Sequence, residues 1–333
     1  MRVCFTTVNR CRPLPEGGEI VLLDWRTKKT LARRPLQPSD PDIADDPNPR
    51  GNTRGGKGVV RVGDRLLAGT YHSLLWFDLR LRPLGRVTHP LLAGVHEICR
   101  VPAGTWVAAT ALDGALLLAD DGRLLDAWWP REDPLLQKRF GLSPLPFDRE
   151  ADNRLRFLGK VPAEDPSHTH LNAVVTDPST GEVYALLNRF GALVRFRPST
   201  VVTVEHPRLK GSHSPRILTG GRVLVGETVH CSLVEFDLAE GRPARSLRLS
   251  DFPPVAERLA AHPDRPFNRS GFVRGLDVLG ADHVLVGMAP ASLLEVDLAR
   301  GELLAIHPFG NDVSETVHGL CAWDPTTLYP IPA

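Results

Sequence analysis

Residues 274–306 read RGLDVLGADHVLVGMAPASLLEVDLARGELLAI, and this stretch decides the fold. It holds short segments rich in Val and Leu, separated by turns with Gly, Asp and Pro, and it shows no helical period. The same pattern begins again at Gly58, His96, His170 and His213. A four-stranded unit of roughly 40 residues cannot bury both of its faces alone, so the copies must stack against one another.

A sixth copy is divided between the two ends of the chain. The stretch HGLCAWDPTTLYPIPA begins a blade at His318, and residues 1–36 supply the missing strands as MRVCFTTVNR, GEIVLLDW and KTLARRPL. Pairing of the first and last strands closes the ring and removes two exposed sheet edges. The sequence therefore predicts an all-β fold, a six-bladed β-propeller that spans residues 1–333 as one domain. A seven-bladed ring is the alternative if MRVCFTT is an inner strand.

Three connections between blades are too long to be turns: residues 37–56, 131–168 and 250–272. Each runs from the last strand of one blade to the first strand of the next, so we expect all three to cap the same mouth of the channel. Long loops in compact domains are usually functional or disordered. The segment PPVAERLAAHP within the third connection predicts two or three helical turns.

Composition excludes several classes of function. Lys plus Arg number 40 and Asp plus Glu number 39, so no net field favours nucleic acid or an anionic membrane. No apolar run is long enough to span a bilayer, and the first residues lack the apolar core of an export signal. The lack of an export signal and the odd count of five cysteines together indicate reduced thiols in a cytoplasm. The abundance of Arg, Leu, Ala and Pro suggests a bacterial source.

Alignment of the inner strands places one residue that can carry positive charge at the same position in every blade. The six residues are Lys57, His96, His170, His213, Arg274 and His318. The first residue of an inner strand points toward the channel axis, so these side chains should converge at one mouth. Converging imidazoles and cations without a ligand would repel one another or be desolvated, which favours a functional site.

The turns after the second strands should lie at the same mouth and add further polar groups. His72, Glu227 and His230 lie in such turns, as do Thr70, Asn188 and Arg189, and Asn9 and Arg10 match the last two. Glu97 and Glu315 accompany His96 and His318 along the chain and, with Glu227, are candidate hydrogen-bond partners for the histidines. The candidate catalytic residues are Lys57, His72, Asn172, Glu227, His230 and Arg274.

The stretch HTHLNAVVTDPSTGEVYALLNRFGALVRF at residues 168–196 resembles the bacterial arylsulfotransferases, as does HEICRVPAGTWVAA from His96. Only His170 and Asn172 match the His-x-Asn unit of that family. The resemblance implies a six-bladed propeller in which a channel histidine carries a sulfuryl group. Carotenoid oxygenases offer an analogy of architecture alone, since four inner-strand histidines hold Fe(II) in those propellers.

Three functions follow from the ring. The first is an enzyme in which His96, His170, His213 and His318 bind one transition metal (Fe, Cu or Zn), with Lys57 and Arg274 holding a small anionic substrate. Such an enzyme could be an oxidoreductase or an oxygenase. The second is a metal-free sulfuryl or phosphoryl transferase, or a lyase, that uses a channel histidine. The third is a binding module without catalysis, because many propellers are scaffolds.

Overall fold

The computed structural model describes residues 1–37, 46, 48, 50–159 and 164–325, and parts of the first two long connections lie outside these ranges. Six four-stranded antiparallel sheets form a six-bladed propeller, as predicted, and the seven-bladed alternative is wrong. No helix within these residues is long and apolar enough to cross a membrane.

Each sheet is one blade, and its strands run from the channel outward. Blade 1 holds β24 (Glu315–Trp323), β1 (Arg2–Asn9), β2 (Glu19–Asp24) and β3 (Lys29–Pro35). Blade 2 holds β4 (Val59–Val62), β5 (Arg65–Gly69), β6 (Ser73–Asp78) and β7 (Pro83–Thr88). Blade 3 holds β8 (Val95–Val101), β9 (Gly104–Ala109), β10 (Gly114–Leu118) and β11 (Leu124–Trp128).

The second half of the ring repeats the arrangement. Blade 4 holds β12 (Leu171–Thr176), β13 (Val183–Leu187), β14 (Ala192–Arg197) and β15 (Val201–Glu205). Blade 5 holds β16 (His213–Leu218), β17 (Arg222–Glu227), β18 (Ser232–Asp237) and β19 (Arg242–Arg248). Blade 6 holds β20 (Val273–Val278), β21 (His283–Met288), β22 (Ser292–Asp297) and β23 (Glu302–Pro308).

The two ends of the described chain close the ring within blade 1. Strand β1 pairs antiparallel with β24 on one side and with β2 on the other, and Cys4 faces Cys321 in the register. The predicted closure is therefore confirmed, because the edges of β1 and β24 that face each other are hydrogen-bonded.

The hydrophobic core lies between the blades. In the described residues, each pair of neighbouring blades shares one large buried cluster, as when Leu67 and Trp76 of blade 2 pack with Val107 and Leu116 of blade 3. A blade alternates its apolar side chains between its two faces, so it needs a neighbour on both sides. This explains why the ring has to close.

Two short helices lie in the long connections. Helix α1 (Pro134–Phe140) begins at Asp133, whose carboxylate accepts hydrogen bonds from the amides of Leu135 and Leu136 at 3.0 and 3.3 Å. Helix α2 (Pro253–Ala261) confirms the helix predicted in the third connection. Proline occupies the first turn of both helices, where an amide hydrogen would have no partner.

Candidate functional site

The structure brings the four predicted histidines together at the start of the inner strands. The ring centroid of His96 lies 4.7 Å from that of His318, 5.1 Å from that of His213 and 6.3 Å from that of His170. His213 and His318 are 6.3 Å apart. Each comes from a different blade, so the site exists only in the closed ring.

Irregular strand pairing directs these side chains to the axis. The inner strand slips in register against the second strand between Val95 and Ile98 in blade 3, and between His213 and Arg216 in blade 5. Such a bulge bends the strand and turns a side chain that regular alternation would place elsewhere. In blade 1, a Cβ on Gly319 would lie 2.2 Å from the Lys57 carbonyl oxygen, so only glycine lets these inner strands approach so closely.

The imidazoles are neutral at physiological pH. Burial, followed by the neighbouring His168 and Arg274 side chains, lowers the pKa of His170 to about 3. Burial, followed by the neighbouring histidines or cations, also lowers the pKa of His96, His213 and His318 well below the ordinary value. The sequence suggested that each ring residue could be protonated, and for the histidines the buried setting reverses this expectation.

The hydrogen bonds of His213 fix its tautomer. Its Nδ1 lies 2.6 Å from Thr228 Oγ1 and 3.1 Å from the Gly211 carbonyl oxygen. The Thr228 hydroxyl donates its own hydrogen to the Val273 carbonyl at 2.7 Å, so it can only accept from His213. We therefore assign the proton to Nδ1, which leaves the lone pair on Nε2.

Two imidazole nitrogens of the other histidines in the site are buried without a hydrogen-bond partner in the described part of the chain. They are Nδ1 of His96 and Nε2 of His318, which belong to the most closely spaced pair of rings. An unpaired buried polar atom costs roughly 1–3 kcal/mol. Because most buried polar atoms in folded proteins are paired, these two nitrogens are candidates to bind a ligand at the mouth.

Lys57 and Arg274 lie in the same ring, and both are buried, with 9% and 8% of their surface exposed. Among the described residues, neither forms an ion pair with a carboxylate, and Nε of Arg274 has no hydrogen-bond partner. Burial, Arg10 and Arg274 lower the pKa of Lys57 to about 7. Burial and the neighbouring Arg10 lower the pKa of Arg274 as well. In the part of the chain that the structure describes, the mouth thus holds cations that form no ion pair with a carboxylate.

The turns after the second strands contribute fewer side chains to the histidine site than the sequence suggested. Glu227 is buried, but Arg208 binds its carboxylate through Nε at 3.0 Å and Nη2 at 2.7 Å. His230 turns outward, with 64% of its side chain exposed. His72 is buried against Ser73 Oγ at 2.9 Å and lies close enough to Asp152 to influence that carboxylate. Thr228, which the sequence reasoning missed, takes the role expected of Glu227.

The other two candidate glutamates also have different partners. Glu97 binds Arg216 Nη1 at 3.0 Å and Ser214 Oγ at 3.1 Å, which links blades 3 and 5 across the channel. Glu315 lines a cavity of about 440 Å³ that also contains Glu19 and Asp312. Neither carboxylate is among the hydrogen-bond partners found for a ring histidine, so bracing by glutamate is not observed in the described residues.

Asn172 ties two blades together. Its side-chain amide donates to the Ser212 carbonyl at 3.0 Å, one residue before His213, and its buried Oδ1 has no partner among the described residues. The Asn188 amide donates to the same carbonyl at 2.8 Å. The two asparagines therefore position the backbone that carries His213.

The side chains do not form a ready metal site. Within the described residues, no group of three or more His, Cys, Asp or Glu side chains is arranged to hold a metal ion. The four-histidine transition-metal centre therefore stays a prediction.

Comparison with known proteins supports the fold. A protein of unknown function from Bacteroides caccae is similar to this chain, with a TM-score of 0.57, 12% identity, and 96% of this chain and 97% of that chain covered. A chain of the nidogen/laminin complex has a TM-score of 0.56 and 12% identity over 96% and 97% of the two chains. Virginiamycin B lyase from Staphylococcus aureus with quinupristin has a TM-score of 0.49 and 9% identity, covering 84% and 75%. No family model and no curated protein sequence matches the chain.

Proposed function

We propose that this protein is an enzyme that binds a small anionic substrate at the channel mouth and acts on it through His213. One observation carries the proposal: buried cations, with no carboxylate paired to them among the described residues, lie beside neutral imidazoles. Lys57 and Arg274 hold the anionic group, and Nε2 of His213 is the electron-pair donor, as nucleophile or as base. The reaction belongs to metal-free group transfer or elimination.

The network around His213 supports this assignment of roles. Thr228 and Gly211 accept hydrogen bonds from the Nδ1–H group of His213 and hold its imidazole in place. Arg274 is among the cations that lower the pKa of His213. A cation that disfavours imidazolium keeps the nucleophile in its reactive form. When Nε2 attacks or accepts a proton, the two acceptors at Nδ1 stabilise the positive charge that develops on the ring.

Acylation of histidines with diethyl pyrocarbonate at pH 5 tests the proposal, because the reagent attacks only neutral imidazole. An ordinary histidine, with a pKa of about 6.5, is mostly protonated at that pH. We expect mapping by mass spectrometry to find the ring histidines modified first and protected by added phenyl phosphate. Faster modification of the remaining histidines, with the ring untouched, would show that the mouth offers no reactive lone pair.

A second candidate function is the transition-metal enzyme, and one observation favours it. The unpaired Nδ1 of His96 and Nε2 of His318 belong to neighbouring rings and are potential metal ligands, with His170 and His213 completing the set. A bound metal would supply an electrophile for the anionic substrate. Elemental analysis after gentle purification, followed by reconstitution with Fe(II), Cu, Zn, Mn and Ni, separates the two functions: stoichiometric metal that His96→Ala and His318→Ala abolish would favour the metal enzyme.

A further inference from the structure

A third cation, Arg10, completes the charged side of the channel mouth. Arg10 follows β1, and its backbone amide donates to the Ser314 carbonyl at 3.1 Å. Its guanidinium donates to the Phe267 carbonyl at 3.3 Å through Nη1. Burial, followed by the neighbouring Arg50, lowers the pKa of Arg10 to about 10, so it remains protonated at neutral pH. Sequence reasoning could not distinguish Arg10 from a solvated charge on the rim.

The aromatic ring of Phe272 forms cation–π contacts with two of the three cations. The guanidinium carbon of Arg10 lies 5.9 Å from the centroid of the Phe272 ring, and that of Arg274 lies 5.6 Å from it. A cation over an aromatic ring is stabilised by about 0.5–2 kcal/mol, which offsets part of the repulsion between two guanidinium groups. The ring therefore keeps both groups near each other before any ligand arrives.

Among the described residues, the carboxylate that acts on Lys57 is Asp46, and it already has partners. The Asp46 side chain is fully buried and accepts hydrogen bonds from the Thr53 amide at 2.8 Å and the Thr53 hydroxyl at 3.0 Å. Its oxygen also lies 3.9 Å from Nη1 of Arg54. Within the described part of the chain, Asp46 is opposed by Arg10, Arg274 and Arg50, which add positive charge at Lys57, so positive charge is in excess around these residues. By contrast, Arg216 has its own partner in Glu97.

We propose that Arg10, Lys57 and Arg274 form a clamp for a doubly charged tetrahedral group, as in a phosphate monoester or a phosphonate. The proposal rests on the proposed function and names its substrate class. Two guanidinium groups and an ammonium group are three separate donor groups, which suit three terminal oxygens better than the two of a carboxylate. The charge also separates this class from sulfate monoesters, which carry one negative charge.

Isothermal titration with phenyl phosphate and phenyl sulfate at pH 7.5 and constant ionic strength tests the clamp. The two probes share their ring and their tetrahedral head, and at this pH the phosphate is mainly a dianion. We expect phenyl phosphate to bind at least about tenfold more tightly. Arg10→Gln should remove most of this preference and weaken phenyl phosphate about tenfold, since a charged hydrogen bond contributes roughly 1.5–3 kcal/mol.

Two further variants keep the test decisive. Arg12→Gln removes an arginine two residues away that is paired with Asp312, and it should bind both probes like the wild type. Arg10→Lys retains the charge without the planar fork, and it should recover only part of the affinity. Melting temperatures of all variants establish that the ring is intact.

Each result has a distinct meaning. Equal binding of the two probes, lost in Arg274→Gln, would overturn the dianion class and leave the anionic site of the proposed function in place. Failure of both probes to bind would overturn the proposed function together with the clamp. Unchanged selectivity in Arg10→Gln would remove Arg10 from the site.

Discussion

Thr228 Oγ1 lies 2.6 Å from Nδ1 of His213 while it donates to the Val273 carbonyl, so this hydroxyl acts with the Gly211 carbonyl to set the tautomer of the histidine. It also connects blade 5 to blade 6, because Val273 begins β20. Orientation of the candidate nucleophile is thereby coupled to the contact between two blades.

Replacement of Thr228 by Val tests this relationship. The loss of the hydroxyl should release the His213 ring, and ¹⁵N chemical shifts of the imidazole should change from one Nδ1–H tautomer to a mixture. We expect acylation of His213 to slow and the free energy of unfolding to fall by about 1–3 kcal/mol, because the Val273 carbonyl loses its donor.

Thr203→Val is the matched control, since Thr203 lies on outer strand β15 and its hydroxyl donates to the Val201 carbonyl of the same strand at 3.5 Å. It should leave the His213 resonances unchanged. If Thr228→Val retains a pure Nδ1–H tautomer, Gly211 alone fixes the ring and the role of Thr228 is wrong.

Lys57→Met should stabilise the protein. The pKa of Lys57 is lowered to about 7 from an unfolded value near 10.5, so between these values the unfolded chain binds more protons and stability rises with pH. The charged form is therefore costly at pH 7 and below, and we expect the variant to gain about 1–4 kcal/mol there. The gain should vanish toward pH 10, as measured by urea unfolding across this range.

The same variant should bind phenyl phosphate more weakly, because stability and binding oppose each other at a site of unpaired charges. Weaker binding without any gain in stability would mean that Lys57 has a counter-ion in solution.

The order of the blades, the closure of blade 1 and the six ring positions could be predicted, because strand alternation and repeat alignment fix them. The partners of those residues could not. Glu227 binds Arg208, which lies in the 3-10 helix Pro207–Leu209 between two blades, where no repeat alignment applies. Thr228 lies in a short 3-10 turn outside the strand register, and burial of the imidazoles depends on the whole ring.

Glu315→Gln should change the pH dependence of stability in the opposite direction to Lys57→Met. Burial and the neighbouring carboxylates of Glu19 and Asp312 raise the pKa of Glu315 to about 7, and Arg33 and Arg258 offset only part of this rise. Between pH 4.5 and 7 the folded state retains a proton that the unfolded state releases, so stability falls as pH rises.

The glutamine variant should therefore melt at a higher temperature than the wild type at pH 8 and at a similar temperature near pH 4.5. Glu302→Gln, at the outer strand of blade 6, is a control whose curve should follow the wild type. Identical pH profiles for Glu315→Gln and the wild type would contradict the raised pKa.

Phe5→Ala tests the closure of the ring. Phe5 is fully buried in β1 and packs edge-on against Phe309 with ring centroids 5.0 Å apart. The substitution should lower the free energy of unfolding by about 3–5 kcal/mol. Leu84→Ala on β7, where 54% of the leucine is exposed, should change it by less than about 1 kcal/mol. Similar losses in both variants, by calorimetry, would argue that blade 1 does not hold the ring together.

The six ring positions hold different kinds of side chain, although the blade that carries them repeats six times. His318 of blade 1 stands between Lys57 of blade 2 and Arg274 of blade 6, while His96, His170 and His213 follow one another on blades 3 to 5. A molecule that enters along a six-fold axis has no preferred azimuth on symmetry grounds alone. Here Lys57 and Arg274 flank His318 in one half of the circle, and the other three imidazoles occupy the other half. An incoming anion would therefore be turned to a single angle, with its charged group toward Lys57 and Arg274.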